Sequence, residues 1–253
     1  MIADSRGLTK EKNRIFALFF IHRTHFLSVL LTDDKVSMFH KLRGLYALQR
    51  GTSMNYTGPK VKISRKLGFS LTAKARKVMD KNSNPPGQHG SKKRRGKMSV
   101  YGQQLLEKQR LRLQYNIHER QMTNYYHKAH HLLGNTGELL VQLLESRLDA
   151  IVFRAGFARS MQSARQYVRH GHIFVNGKLV NIPSFHVNPN DVIQVKEKSR
   201  KLECFQDAVR ASAAPPYLEV SKADFSVKYL YLPPREEVPV VCEVPLVVEF
   251  YSR

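Results

Sequence analysis

The strongest periodic signal lies at 139–152. Leu140, Leu144, Leu148 and Val152 recur every four residues, with Leu143 and Ile151 beside them, which predicts an amphipathic helix. Asn135 stands where an N-cap belongs, with Glu138 three residues on, and Gly156 can end the segment in the left-handed conformation. A second helix is predicted over 160–171, from Ser160 as cap to Gly171 as stop. Met161, Ala164 and Val168 make its inner stripe, while Gln162, Arg165, Gln166 and Arg169 fall on the other side. A third is read over 101–115, where Tyr101, Leu105, Leu106 and Leu113 supply an apolar side and Lys108, Arg110 and Arg112 the charge. After residue 171 the pattern becomes that of strands. His172-Ile173-Phe174-Val175 and Lys178-Leu179-Val180 flank Asn176-Gly177, the best short hairpin signal, and Val192-Ile193-Gln194-Val195 follows the turn residues Pro189-Asn190-Asp191. A short helix is read over 202–211. From Pro215 on, apolar and polar residues alternate weakly among six prolines, which predicts edge strands and loops.

The first half is less regular. Residues 15–21 (IFALFFI) are apolar, but His22, Arg23 and His25 interrupt them at once. A secretory leader would need roughly 7–15 apolar residues and a small-residue cleavage site. A mitochondrial presequence would be poor in acids, and Asp4, Glu11, Asp33 and Asp34 count against that. Residues 54–97 are basic and broken by Gly and Pro. Pro85-Pro86-Gly87 marks a turn, and Lys92-Lys93-Arg94-Arg95 follows closely. A localisation signal is the competing reading of that run, but inside an already basic segment it is more simply a phosphate contact.

Charge then narrows the function. The chain has 253 residues and a net charge of +22. Split at changes in composition, residues 1–53 carry +5, 54–133 carry +15, 134–214 carry +4 and 215–253 carry −2. Such a concentrated excess calls for a polyanion, and its uneven spread suits a docked protein with one phosphate-facing side. The hydrophobic share is 42%, or roughly 48% with Gly, an ordinary globular value. Two cysteines, Cys204 and Cys242, cannot make a disulfide framework or a four-thiolate zinc site. The histidines at 127, 130, 131, 170 and 172 have no Cys or carboxylate at ligand spacing. Neither a phosphate-binding glycine loop nor a nucleophile elbow occurs, and acids are scarce where bases cluster. A binding module is therefore a better class than an enzyme, with no metal, cofactor, small-molecule substrate or membrane expected. Gln103, Gln104, Arg147, Asp149 and several Tyr and His add polar and stacking groups, which favours RNA without excluding DNA.

Several motifs resemble a known family. Leu144-Glu145-Ser146-Arg147-Leu148-Asp149 through Val168 resembles the RNA-binding module shared by ribosomal protein S-four and several RNA-modifying proteins. Arg147, Ser160, Ala164 and Arg165 stand at its motif positions, as does His170-Gly171-His172-Ile173-Phe174-Val175-Asn176-Gly177-Lys178, while Tyr167 replaces the usual aliphatic. Tyr56-Thr57-Gly58-Pro59-Lys60, Pro85-Pro86-Gly87-Gln88-His89-Gly90 and Tyr101-Gly102-Gln103-Gln104-Leu105 resemble the amino-terminal region of S-four itself, and Val248-Glu249-Phe250-Tyr251-Ser252-Arg253 its carboxyl end. The likeness covers about 54–253. It implies an α+β fold with a basic, mostly helical domain at 54–145 and an RNA-binding module of two helices on a short antiparallel sheet at 146–210. A carboxyl-terminal segment at 211–253 returns to the first domain. The family starts near Met54, so residues 1–53 are read as a misassigned start in preference to a genuine extension or an organelle presequence. Val61 and Ser64 stand where many relatives have the first zinc-binding cysteines, so no metal knuckle is expected.

The resemblance implies a small-subunit ribosomal protein that binds rRNA directly and early and nucleates assembly of the subunit body. It would lie beside protein S-five and other small-subunit proteins, near the mRNA entry channel, and influence decoding accuracy. The ribosome would be cytoplasmic, or organellar if residues 1–53 are a presequence. The expected rRNA-binding residues are Lys60, Arg65, Lys66, Arg76, Lys92, Lys93, Arg94, Arg95, Tyr101, Gln103, Lys108, Arg110, Arg147, Arg159, Ser160, Arg165, Gln166, Arg169, His170, His172, Asn176 and Lys178. Two other classes compete. A pseudouridine synthase carrying the same module needs a catalytic domain with a nucleophilic Asp, but 43 residues after Arg210 are too few and 54–133 holds only Asp80. A DNA-compacting protein would bind any duplex about equally.

Overall fold

Apolar stripes in the helices and alternation in the strands build two adjoining cores. The computed structural model describes residues 56, 58–88, 90, 98–210 and 214–253. The extension at 1–53 and the Lys92–Arg95 run lie outside the described residues. Helix α1 (Lys60–Leu67) closes on Gly68, whose φ of 80° is cheap only for glycine. In α2 (Ala73–Lys81) the Thr72 hydroxyl accepts from the Ala75 amide, and in α3 (Val100–Gln114) the Ser99 hydroxyl accepts from Gly102. Helix α4 (Glu119–His131) has no counterpart among the expected elements. Its apolar stripe, Met122, Tyr126 and Ala129, is buried but short, in an otherwise polar stretch.

The helix expected over 139–152 is two helices, α5 (Thr136–Glu145) and α6 (Leu148–Arg154). Asn135 caps α5 as anticipated. The break at Arg147 arises because a distant segment takes over the backbone bonding. Leu148 and Asp149 amides donate to the Phe185 and Pro183 carbonyls, Val187 donates to Ser146, and Arg147 pairs with His186 in an isolated bridge. The period of four survives the break, since both helices feed the interior.

Helix α7 (Met161–Arg169) has the predicted Ser160 cap and buried Met161, Ala164 and Val168. A hairpin follows, β1 (Ile173–Val175) and β2 (Lys178–Leu179), with Asn176 and Gly177 both at positive φ. Then come β3 (Val192–Val195), a short α8 (Glu197–Arg200), α9 (Glu203–Arg210), β4 (Leu218–Ser221) and β5 (Ser226–Tyr229). The five strands form one antiparallel sheet in the order β2-β1-β3-β5-β4. Ile173, Val195, Ile193, Val227 and Tyr229 turn inward onto Leu148, Ile151, Val152, Ala164 and Val168, making the first core. Phe174, Gln194 and Lys228 face outward.

The carboxyl-terminal segment returns to the helical domain, as expected, but first it lends β4 and β5 to the module's sheet. Strand β5 is internal, between β3 and β4, and the prolines sit outside both strands. The chain then crosses to α10 (Val244–Ser252), which packs on α3, α4 and α5. Here the expectation of strands and loops fails. Five apolar residues in a row favour a strand locally, but Val244 and Val247 share one helical face that fills the second core with Leu111, Met122, Leu140 and Leu144. Pro245 sits in the first turn, where a missing amide costs nothing.

Candidate nucleic-acid interface

Because α7 buries Met161, Ala164 and Val168, its opposite face must look outward. Gln166 and Arg169 are exposed there, and Arg165 is half-buried. Arg165 Nη1 lies 3.4 Å from Asp149 Oδ2. Burial is the main influence lowering the Arg165 pKa, opposed by Asp149 and reinforced by Arg147 and Arg169. Just before the helix, Arg159 is well exposed and pairs with Asp207. Just after it, His170 is exposed and its ring centroid lies 6.1 Å from that of His172. Burial, then the charges of His170 and Lys196, push the His172 pKa below its ordinary value. Its Nδ1 is 2.8 Å from the Ser199 hydroxyl. Lys178 projects from the exposed edge strand β2.

The helical domain adds a second basic surface. Lys66 and Arg76 are exposed on α1 and α2, as are Lys62, Lys74 and Lys77, which were not singled out from sequence although their spacing away from buried Ser64 and Ala75 marks them. Neither helix has an acid in its first turn. Lys60 is half-buried. Arg65 donates to the Asn84 carbonyl at 2.8 Å, tying α1 to the turn after α2. Arg110 donates to the Leu67 carbonyl at 3.0 Å and pairs with Glu107, so it ties α3 to α1. Tyr101 and Gln103 are exposed at the start of α3, with Tyr101 against Phe250. A cleft of about 770 Å³ is lined by Ala73 at the start of α2 together with Arg154, Arg159 and Asp207.

Two expected RNA contacts are in the interior. Arg147 is 1% exposed, with its fork on Asp149 at 2.9 and 2.6 Å and Nη1 donating to the Tyr125 hydroxyl at 2.9 Å. Lys108 is 6% exposed, 2.8 Å from Glu119 and 4.4 Å over the Phe250 ring. Arg147 is enclosed together with Asp149, and the Lys108 side chain is buried and already paired with Glu119, so neither presents a free charge to a phosphate. Two further residues have structural employment. The Ser160 hydroxyl accepts from the Ser163 amide. Asn176 spends its amide on Asp191 and on the Val192 amide, fastening the hairpin to β3. The 92–95 run lies outside the described residues.

Among the described residues, no helix is long and apolar enough to cross a membrane, and no group of three His, Cys, Asp or Glu is placed to hold a metal ion. What decides the family is likeness over nearly four-fifths of the chain. Residues 55–145 match the family described as Ribosomal protein S4/S9 N-terminal domain, and 146–193 match the S4 domain. Small ribosomal subunit protein uS4 of Geobacillus sp. (strain WCH70) is 48% identical over 199 residues, 78% of this chain and 98% of that one. The protein of the same name from Micrococcus luteus is 50% identical over 199 residues, 76% of this chain and 95% of its own length. That from Porphyromonas gingivalis is 46% identical over 200 residues, 78% and 98% of the two chains. The chain belongs to the uS4 family of small-ribosomal-subunit proteins. A uS4 protein is a structural ribosomal component and not an enzyme, which removes the pseudouridine synthase reading.

Proposed function

We propose that this chain is a constituent of the small ribosomal subunit that binds small-subunit rRNA through the outer face of α7 and the exposed bases of α1 and α2. The observation that carries this is α7 itself: Arg165 and Arg169 one turn apart, looking out from a helix whose other face is buried, with Arg159 and His170 at its two ends. Side chains on such a face contact phosphates and fix register, while His170 and the outward Gln166 offer polar and stacking groups to bases. In this reading Lys66, Arg76, Arg159, Arg165, Gln166, Arg169, His170 and Lys178 are first-rank contacts. Lys60, Arg65, Tyr101, Gln103, Arg110, His172 and the 92–95 run lie around them, and Arg147 and Lys108 are withdrawn. The finer role is early rRNA binding that nucleates the subunit body. It includes a neighbourhood of protein S-five and the mRNA entry channel, an influence on decoding accuracy, and residence in the cytoplasmic ribosome, or in an organelle's if residues 1–53 are a presequence.

The test is equilibrium binding to a full small-subunit rRNA transcript, against random RNA of equal length, over a range of salt. Wild type prefers the rRNA. Arg165→Ala with Arg169→Ala weakens binding and makes the log–log salt slope shallower by about 1.4 to 1.8, at 0.7–0.9 per phosphate contact. An unchanged slope removes α7 from the interface, and equal affinity for random RNA removes the rRNA reading.

A further inference from the structure

Asp149 is one carboxylate shared by two guanidinium groups, one inside the protein and one at its surface. Arg147 grips it with a two-point fork at 2.9 and 2.6 Å, and both side chains are 1% exposed. Tyr125, on α4, holds the far end of Arg147 at 2.9 Å, with its ring 5.6 Å from the guanidinium carbon. The Asp149 amide is fixed in turn by the Pro183 carbonyl at 3.2 Å. The carboxylate therefore has no freedom of its own. Arg165 meets the same Oδ2 at 3.4 Å, beyond the usual hydrogen-bond range, with its side chain 20% exposed. One carboxylate cannot neutralise two guanidinium groups, so the site keeps one positive charge. Arg147 is sealed in, which leaves that charge on Arg165.

We propose that Arg147 is a positioning residue for RNA binding. It locks the Asp149 carboxylate beneath α7, and the carboxylate orients the Arg165 guanidinium before RNA arrives. The inference rests on the rRNA reading above. A buried ion pair is a poor way to gain stability, since apolar residues of similar volume often do as well, so what this pair supplies is a fixed direction. The contact to Arg165 is long enough to aim it without capturing it. Arginine has five N–H donors in a rigid plane, and an Nη1 directed at Asp149 leaves the Nε–Nη2 edge for a two-point contact with a phosphate. Holding the side chain in advance lowers the rotamer entropy lost on binding. The lowered pKa of Arg165 agrees with a guanidinium held partly out of water.

The variant is Arg147→Lys, which keeps the interior charge paired with Asp149 but replaces the planar fork by a single point. Affinity for the rRNA transcript is measured for wild type, R147K, R165A and the double variant, with circular dichroism and melting temperature recorded for each. R147K weakens rRNA binding roughly three- to tenfold in the parent and has little further effect in R165A, because its action passes through Arg165. The same loss in both backgrounds, or no loss in either, overturns the proposal. A second readout needs no RNA. The Arg165 Nε–H order parameter, from ¹⁵N relaxation of the free protein, falls in R147K, and an unchanged value overturns the positioning role. Absence of any preference for rRNA in wild type overturns the rRNA reading instead, so the two failures are told apart.

Discussion

A charged side chain announces its charge in the sequence but not its address. Lys108 sits in the run Lys108-Gln109-Arg110-Leu111-Arg112, which looks like a solvated basic face. Its partners lie further along the chain: Glu119 eleven positions on at 2.8 Å, and Phe250 near the carboxyl end of the sequence, its ring centroid 4.4 Å from the ammonium. Arg147 errs the same way, since nothing local reveals that Tyr125 and Asp149 close over it. The consequence is measurable. Lys108→Ala removes a charged hydrogen bond and a cation–π contact while leaving a half-exposed Glu119 that water can serve, so stability falls by about 1–2 kcal/mol in urea. Its rRNA salt slope stays that of wild type. Lys66→Ala, at an exposed position, does the opposite: the melt is unmoved and the slope drops by about 0.7–0.9. A reduced slope in K108A sinks the assignment of Lys108 to the interior.

At the scale of elements, legibility follows the length and cleanness of each stripe. Helix α7, its cap, its glycine stop and the hairpin after it were readable because cap, stripe and turn residues all agree. Helix α4 was not, since three buried residues among ten polar or aromatic ones give a weak period. The pattern at α10 points to a strand because Val-rich runs favour strands until tertiary packing overrides them, and the partners it packs on, α3 and α5, lie far back in the chain. The break between α5 and α6 was invisible for a related reason: the carbonyls that cause it belong to 183–187. Ser160 shows how an element test separates fold from interface. Its hydroxyl accepts from the Ser163 amide at 3.2 Å, so Ser160→Ala lowers stability by about 1 kcal/mol. Ser160→Asp keeps a cap and suits the helix's positive end, but sets a carboxylate beside Arg159 and Arg165. Thermal melts rank S160D level with wild type and S160A below both. Binding to rRNA ranks S160D lowest, with S160A near wild type. Should S160A lose binding with its melt unmoved, Ser160 touches RNA directly and is not chiefly a cap.

At the scale of the molecule, the two cores meet at one buried carboxylate. Tyr115 belongs to the core of the helical domain and Tyr217 to that of the sheet. Both reach Glu145, which is fully buried: Tyr115 donates at 2.7 Å, Tyr217 at 3.3 Å, and Arg154 supplies the counter-charge at 2.8 Å. Neither pattern nor composition hinted at this junction, because it joins residues 30 and 72 positions apart. Burial first, and then the charge of Glu145, push both phenols well above their usual value near 10, and Tyr229 shifts the same way for the same two reasons. A phenol with a raised folded-state pKa gives stability that is complete below pH 10. It is lost as pH climbs further, because the unfolded chain sheds protons that the folded one keeps. Each such tyrosine takes away about 1.4 kcal/mol per pH unit above 10. The sharper test is a difference. At pH 8, Tyr115→Phe costs about 1.5–3 kcal/mol, having removed a hydrogen bond to a buried carboxylate. Above pH 10 the parent loses stability through one more tyrosine than the variant does. In urea unfolding from pH 8 to 11.5 the gap between the two therefore narrows by about 1.4 kcal/mol per unit, while lysines and the other tyrosines cancel in the comparison. Parallel curves would mean that Tyr115 ionises in the folded protein as freely as in the unfolded one, and that the hydroxyl does not join the cores through Glu145.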